Sequence, residues 1–158
     1  MLAPRSLAVA AVVLWMDAAA AIDAGRWQEH VAVDRLTDKR RSDFLLPANW
    51  VSDNAVVEDV GLQVGCGTAG WPVVGLSLAP AAGFSKPLIG YRFDKGAATQ
   101  AMANAGPSYV LLPAAIFDAM AGKAKLFIRV SEGGTVVEAE FILEGAGAVR
   151  DKIKRSCG

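Results

Sequence analysis

From Trp27 onward, apolar and polar residues alternate in short runs separated by glycine, proline and Asn/Asp. A strand turns successive side chains to opposite faces, so a repeat of two marks one buried and one wet face. Residues 27–33, 42–46, 61–66, 72–79 and 87–93 carry that repeat and are predicted strands. Pro47, the run Gly67-Thr68-Ala69-Gly70 and Asp94-Lys95-Gly96 stand at its breaks. Leu62, Val64 and Cys66 share one face, as do Val74, Leu76 and Leu78 on the following strand. Residues 97–105 fit a strand or a short helix, and Pro107 interrupts them. Residues 113–121 read as a helix: proline suits the first turn, Ile116, Phe117 and Met120 fall on one side, and Gly122 suits the C-terminal cap.

The clearest unit is a hairpin of residues 125–131 and 135–143 joined through Gly133-Gly134. That turn sets Arg129 opposite Glu138 and Leu126 opposite Phe141. One face then carries Leu126, Ile128, Val130, Val137, Ala139, Phe141 and Leu143, and is core. The other mixes Lys125, Arg129, Glu138 and Glu140 with Phe127, Val136 and Ile142. A half-apolar outer face needs a cover, either a helix of the same domain or a partner. Cover from within the domain is the expectation, and Phe127, Arg129, Val136, Glu138 and Ile142 form the candidate interaction surface. The chain closes with residues 146–157, where Ala146, Val149, Ile153 and Cys157 make an amphipathic helical stripe. The basic residues of its second half, Arg150, Lys152, Lys154 and Arg155, complement the helix dipole and supply a solvated face. The predicted fold is therefore mainly β: an antiparallel β-sandwich or partly open barrel with one short helix and a C-terminal helix. Residues 22–158 show neither a linker nor an internal repeat and are expected to form one domain.

The first 21 residues follow a different pattern. Arg5 precedes the apolar run 7–15 and the small-residue tract 18–21, the layout of a secretory signal peptide cleaved after Ala20 or Ala21. An uncleaved anchor is the rival reading, but a membrane span needs about 20 apolar residues and Asp17 interrupts this run. No later segment is apolar for long enough to cross a bilayer. The expected destination is the periplasm of a Gram-negative bacterium, or the exterior.

This leader accounts for much of a mean hydropathy of +0.33 that is high for a soluble domain. Sixteen basic side chains balance sixteen acidic ones. Duplex binding draws most of its affinity from cationic neutralisation of phosphates, so nucleic acid is not an expected partner. The two cysteines, Cys66 and Cys157, read in an exported chain as one disulfide. Its long loop gives it an ideal worth of about 4 to 5 kcal/mol, before strain and residual denatured structure subtract. A redox or nucleophilic role has little support, because C-x-x-C is absent and no basic residue or histidine lies near Cys66 in sequence.

Little catalytic equipment is visible. His30 is the only histidine, and Asp34 lies on the same strand face. The run Gly75-Leu76-Ser77-Leu78-Ala79 lacks the last glycine of a nucleophile elbow. A metal site would have to be built mainly from carboxylates, and Asp94-Lys95-Gly96 lacks the acidic series of a calcium loop. Neither a phosphate-binding glycine loop nor a dinucleotide fingerprint is present, so no cofactor is expected. Trp27, Trp50 and Trp71 lie near strand ends, where core filling is the commoner role and a ligand-stacking platform the rarer one.

Five stretches together resemble a family: Trp27 with Asp34-Arg35-Leu36-Thr37-Asp38, Leu62-Gln63-Val64-Gly65-Cys66, Tyr91-Arg92-Phe93-Asp94-Lys95-Gly96, Ala139-Glu140-Phe141-Ile142-Leu143-Glu144-Gly145, and the final Cys157. This layout is similar to the VasI-like (TagO-like) type VI secretion accessory family of small exported proteobacterial proteins. The chain departs from it in being alanine-rich, and in having residues 97–105 where the family has a tryptophan. The resemblance implies an envelope accessory role, agrees with a bridge between Cys66 and Cys157, and brings no catalytic residues. The expected function is a non-enzymatic binding or assembly module with an envelope protein as partner. The alternative is a small periplasmic hydrolase or carbohydrate-active protein using His30 with Asp34 or a carboxylate pair.

Overall fold

A computed structural model describes residues 25–53 and 56–157; the leader assigned to residues 1–21 lies outside them. Two antiparallel sheets pack face to face. The six-stranded sheet runs in the order β1-β2-β4-β5-β9-β8. Its strands are β1 (Gln28–Val33), β2 (Arg40–Pro47), β4 (Asp59–Cys66), β5 (Pro72–Ala79), β8 (Ala105–Gly106) and β9 (Tyr109–Leu111). The five-stranded sheet runs β3-β11-β10-β6-β7. It contains β3 (Trp50–Val51), β6 (Leu88–Phe93), β7 (Thr99–Met102), β10 (Lys125–Glu132) and β11 (Thr135–Ile142). The sheets do not close into a barrel.

Alternation decides what lies between the sheets. Phe44 and Leu46 of β2, Val60, Leu62 and Val64 of β4, and Val74, Leu76 and Leu78 of β5 are buried from one side. Ile89 of β6, Leu126, Ile128 and Val130 of β10, and Val137, Ala139 and Phe141 of β11 meet them from the other. Interdigitation of two such inner faces is how a sandwich makes a core. The final hairpin has the predicted register, with Arg129 opposite Glu138 and Leu126 opposite Phe141.

Helix α1 (Ala114–Ala119) packs on β5, and α2 (Ala146–Ser156) on β2 and β4. Ile116, Phe117 and Met120 of the first segment join the sandwich core, as do Ala146, Val149 and Ile153 of the second. This corrects the expectation that a helix covers the outer face of the last hairpin. Gly145, at φ 81°, reverses the chain after β11 and sends α2 to the six-stranded sheet, where its stripe finds apolar partners. There Lys152 bonds Glu29 of β1 at 2.7 Å and lies over the Phe44 ring. Cys157, just past α2, is bridged to Cys66 at the end of β4, with their Cα atoms 5.4 Å apart.

Three local differences from the sequence reading have simple causes. Within residues 97–105, Thr99–Met102 resolve as strand β7, because they pair with β6 from Tyr91↔Thr99 to Leu88↔Met102, and Ala105 opens β8. β2 begins at Arg40, two residues before the predicted start, because pairing with β1 extends Arg40↔Val33 beyond the buried part of the strand. β3 was not expected: two residues are too few to show a period, and it forms by pairing with Ala139 and Glu140 of β11.

Candidate functional site

The outer face of the five-stranded sheet is assembled by register. β10 presents Lys125, Phe127, Arg129 and Ser131; β11 presents Val136, Glu138, Glu140 and Ile142 beside them. β6 adds Leu88, Gly90 and Arg92, paired with Ser131, Arg129 and Phe127 respectively. β7 contributes Gln100 and Met102, and β3 contributes Trp50. The five candidate surface residues Phe127, Arg129, Val136, Glu138 and Ile142 thus share one face. Among the described residues neither helix packs on it.

Side chains on this face order one another. Arg129 Nε donates to Glu138 Oε1 at 2.6 Å, and Lys125 Nζ donates to Glu140 Oε1 at 2.8 Å. Trp50 stacks on Phe127, with ring centroids 6.4 Å apart and planes inclined by 19°. The Arg92 guanidinium lies over the same Phe127 ring at 5.8 Å. Such ring and cation contacts hold long side chains in defined orientations at the surface. Apolar area stays open around them: Met102 is 67% exposed, Trp50 45%, and Leu88 and Ile142 just under two-fifths. At the centre is a groove of about 390 Å³ bounded by Leu88, Gly90, Arg92, Gln100, Phe127 and Arg129. A Cβ added at Gly90 would meet nothing within 4 Å, so this glycine is its open floor. The signal for it in sequence is a glycine at an outward position of an alternating run, between Leu88 and Arg92.

The candidate catalytic residues are not brought together. Asp34 follows β1 and belongs to a turn: its Oδ1 accepts the Leu36 N–H at 2.8 Å, which holds its carboxyl below the ordinary value. His30 is paired in register with Asp43 of β2 instead. His30, Asp43, Gln63 and Ser77 border a depression of about 260 Å³ on the outer face of the six-stranded sheet. Among the described residues no side-chain hydrogen bond joins His30 to Asp43 or Ser77. Glu138 and Glu140 are taken up by Arg129 and Lys125. Asp94 Oδ1 accepts the N–H groups of Ala124 and Lys125, which ties the turn after β6 to the start of β10. Among the described residues no group of three or more His, Cys, Asp or Glu side chains is placed to hold a metal.

The tryptophans divide. Trp27 is buried in the core, as the commoner reading has it, whereas Trp50 is partly open and Trp71 is 74% exposed. Core filling therefore describes only one of the three. No protein-family model, curated protein or solved structure matches this chain.

Proposed function

We propose that this protein is a non-enzymatic accessory of the Gram-negative cell envelope that works by docking a partner protein on the outer face of its five-stranded sheet. One observation carries the reading: a sheet face left uncovered by the helices gathers Trp50, Phe127, Met102, Arg92 and Arg129. Aromatic residues, methionine and arginine are the types enriched where proteins bind one another, and Trp, Tyr and Arg supply most energetic hot spots. The Cys66–Cys157 bridge suits an oxidising compartment, and the leader-like residues 1–21 supply a route there. The similarity to the VasI-like family makes a type VI secretion assembly the leading context.

A photo-crosslinking side chain placed at Phe127 or at Gln63, on the opposite outer face, tests this in intact cells. The expected result is a discrete adduct with an envelope protein from position 127 only, lost when Arg129→Glu and Ile142→Asp are added. Equal adducts from both positions, or none from 127, would overturn it. If the adduct contains a component of a secretion apparatus, the context is supported as well; an unrelated envelope protein rejects the context and keeps the docking face.

A further inference from the structure

A second feature is independent of that face. The loop 67–71 between β4 and β5 holds Trp71 beside a groove of about 470 Å³, within the range of roughly 300 to 1,000 Å³ usual for small-ligand sites. Trp71, Pro72, Ala114 and Phe117 wall the groove, and Asp118 and Lys154 stand at its edge. We propose that this groove is a carbohydrate-binding site that takes a pyranose ring of a β-linked glycan, with Trp71 as the stacking platform and Asp118 and Lys154 as hydrogen-bonding partners.

Three observations converge on that ligand class. The first is the indole itself. A tryptophan that is 74% exposed leaves a broad ring face in water. The negative face of an aromatic ring attracts partially positive C–H groups, and a pyranose with equatorial substituents offers a flat set of axial C–H bonds. The second is the polar edge. Lys154 Nζ lies 3.4 Å from Asp118 Oδ1, a loose pair in which both side chains stay largely open, at 49% and 70% exposure. A carboxylate accepts several hydrogen bonds and an ammonium donates three, so both retain capacity. An anionic ligand meets the Asp118 charge and a cationic one the Lys154 charge. An acyl chain or apolar peptide would strip water from both groups without replacing their bonds. A neutral polyhydroxyl compound both donates and accepts, and satisfies the pair.

The third observation is rigidity. Gly67 N–H donates to the Trp71 carbonyl at 2.8 Å, and Gly70 N–H to the Gly67 carbonyl at 3.0 Å, closing the loop on itself. Gly70 has φ +80°, and a Cβ there would lie 3.3 Å from the Cys157 carbonyl oxygen, so the loop packs closely on the end of α2. The Cys66–Cys157 bond, whose Cys157 lines the groove, ties the two together. Arg150 Nη1 donates to the Asp118 carbonyl at 3.4 Å, linking the other wall to the same helix. A loop whose backbone is already held in place loses little freedom on binding, which is what a shallow site needs.

The test is a titration of the purified exported protein with β-1,4-linked N-acetylglucosamine and glucose tetramers, followed by tryptophan fluorescence and calorimetry. Saturable binding is expected for at least one tetramer. Trp71→Ala should weaken it about tenfold or more, Trp71→Phe less, and Trp50→Ala not at all. Asp118→Asn, which keeps an acceptor and the shape, should weaken it less than Asp118→Ala. A thermal melt checks that each variant folds, and the exposure of Trp71 predicts that they do. The proposal is overturned if neither tetramer gives a saturable response, if Trp71→Ala binds as tightly as the parent, or if only apolar peptides or lipid vesicles perturb Trp71.

Discussion

On the outer face of the six-stranded sheet, Gly61 and Gly65 of β4 and Gly75 of β5 stand where the five-stranded sheet has Arg92, Phe127, Arg129 and Glu138. The glycines are not empty positions. Leu45 lies across Gly61, with its Cδ1 2.6 Å from where a Cβ would be, and the Asp43 carboxylate folds over Gly65. At Gly75 the Val110 carbonyl oxygen comes within 3.0 Å of the same point. Each is overlaid by a neighbour. Gly90, on the other outer face, has nothing above it. One residue type thus does opposite jobs: a glycine overlaid by neighbours is a packing device, and a glycine left open is the floor of a groove. The six-stranded sheet also carries α2 and the disulfide, both on its inner face. On the reading proposed above, the six-stranded side holds the fold together and the five-stranded side docks the partner protein.

The hardest blow to the stable side is Cys66→Ala with Cys157→Ala. The bridge spans a sequence separation of 91 residues, and loss of a native disulfide from a small exported domain costs about 2 to 5 kcal/mol. Denaturant unfolding should show that loss. At temperatures where the variant remains folded, crosslinking from Phe127 should persist, because β10 lies in the other sheet. Loss of both together would erase the division.

A matched pair of glycine substitutions sharpens it. Gly75→Val drives its side chain against the Val110 backbone oxygen, which cannot swing away, and should cost about 1 to 3 kcal/mol as overpacking does. Gly90→Val enters open space and gains β propensity, so its stability should match or exceed the parent's. It also fills the groove and should reduce crosslinking from Phe127. If the two variants have equal melting temperatures, the reading of overlaid and open glycines fails.

What was legible in the sequence follows the same physical lines. The last hairpin was readable because Gly133-Gly134 sets a register and alternation then sorts every side chain. The bridge was readable because two cysteines in a chain with a leader-like start have one intramolecular pairing. By contrast, residues 97–112 form three short strands whose periods are too brief to distinguish from a helix. The landing place of α2 was not legible, since an amphipathic stripe specifies that a helix is covered and not by which sheet. The tryptophans looked alike in sequence. The β4–β5 loop holds Trp71 outward while Trp27 enters the core, and that distinction is tertiary. Gly90 read as a strand residue, because a groove is made by the height of its neighbours.

A smaller effect comes from pH and concerns the tie between β1 and α2. Glu29 is held below its ordinary value of 4.5, first by the hydrogen bond from Lys152 and then by that from Ser42. A carboxyl depressed in the folded state contributes stability that is present above its unfolded value and lost as pH falls through the folded one. Unfolding measured at about pH 7 and about pH 3 should therefore show a drop that is smaller in Glu29→Gln. Glu132 is shifted in the same direction by the N–H groups of Ser85 and Lys86, so part of the drop remains in that variant. An unchanged pH profile in Glu29→Gln would mean that the pair with Lys152 does not hold α2 to the sheet edge.

The smallest change in stability is expected where the largest change in binding is, on the proposed docking face. Arg129 and Glu138 form an ion pair across β10 and β11, with the arginine side chain 60% exposed and the glutamate 22%. Exposed pairs of this kind contribute about 0.2 to 1 kcal/mol, because water screens the attraction and both side chains lose freedom in making it. Arg129→Ala should thus barely move the denaturation midpoint. It also removes one wall of the Gly90 groove, and arginine at a binding face is commonly worth more to the complex than to the fold. Crosslinking from Phe127 should fall severalfold in this variant while unfolding stays within about 1 kcal/mol of the parent. A variant that unfolds easily and still crosslinks fully would reverse the assignment, making this pair a fastener of the hairpin and taking Arg129 out of the docking contact.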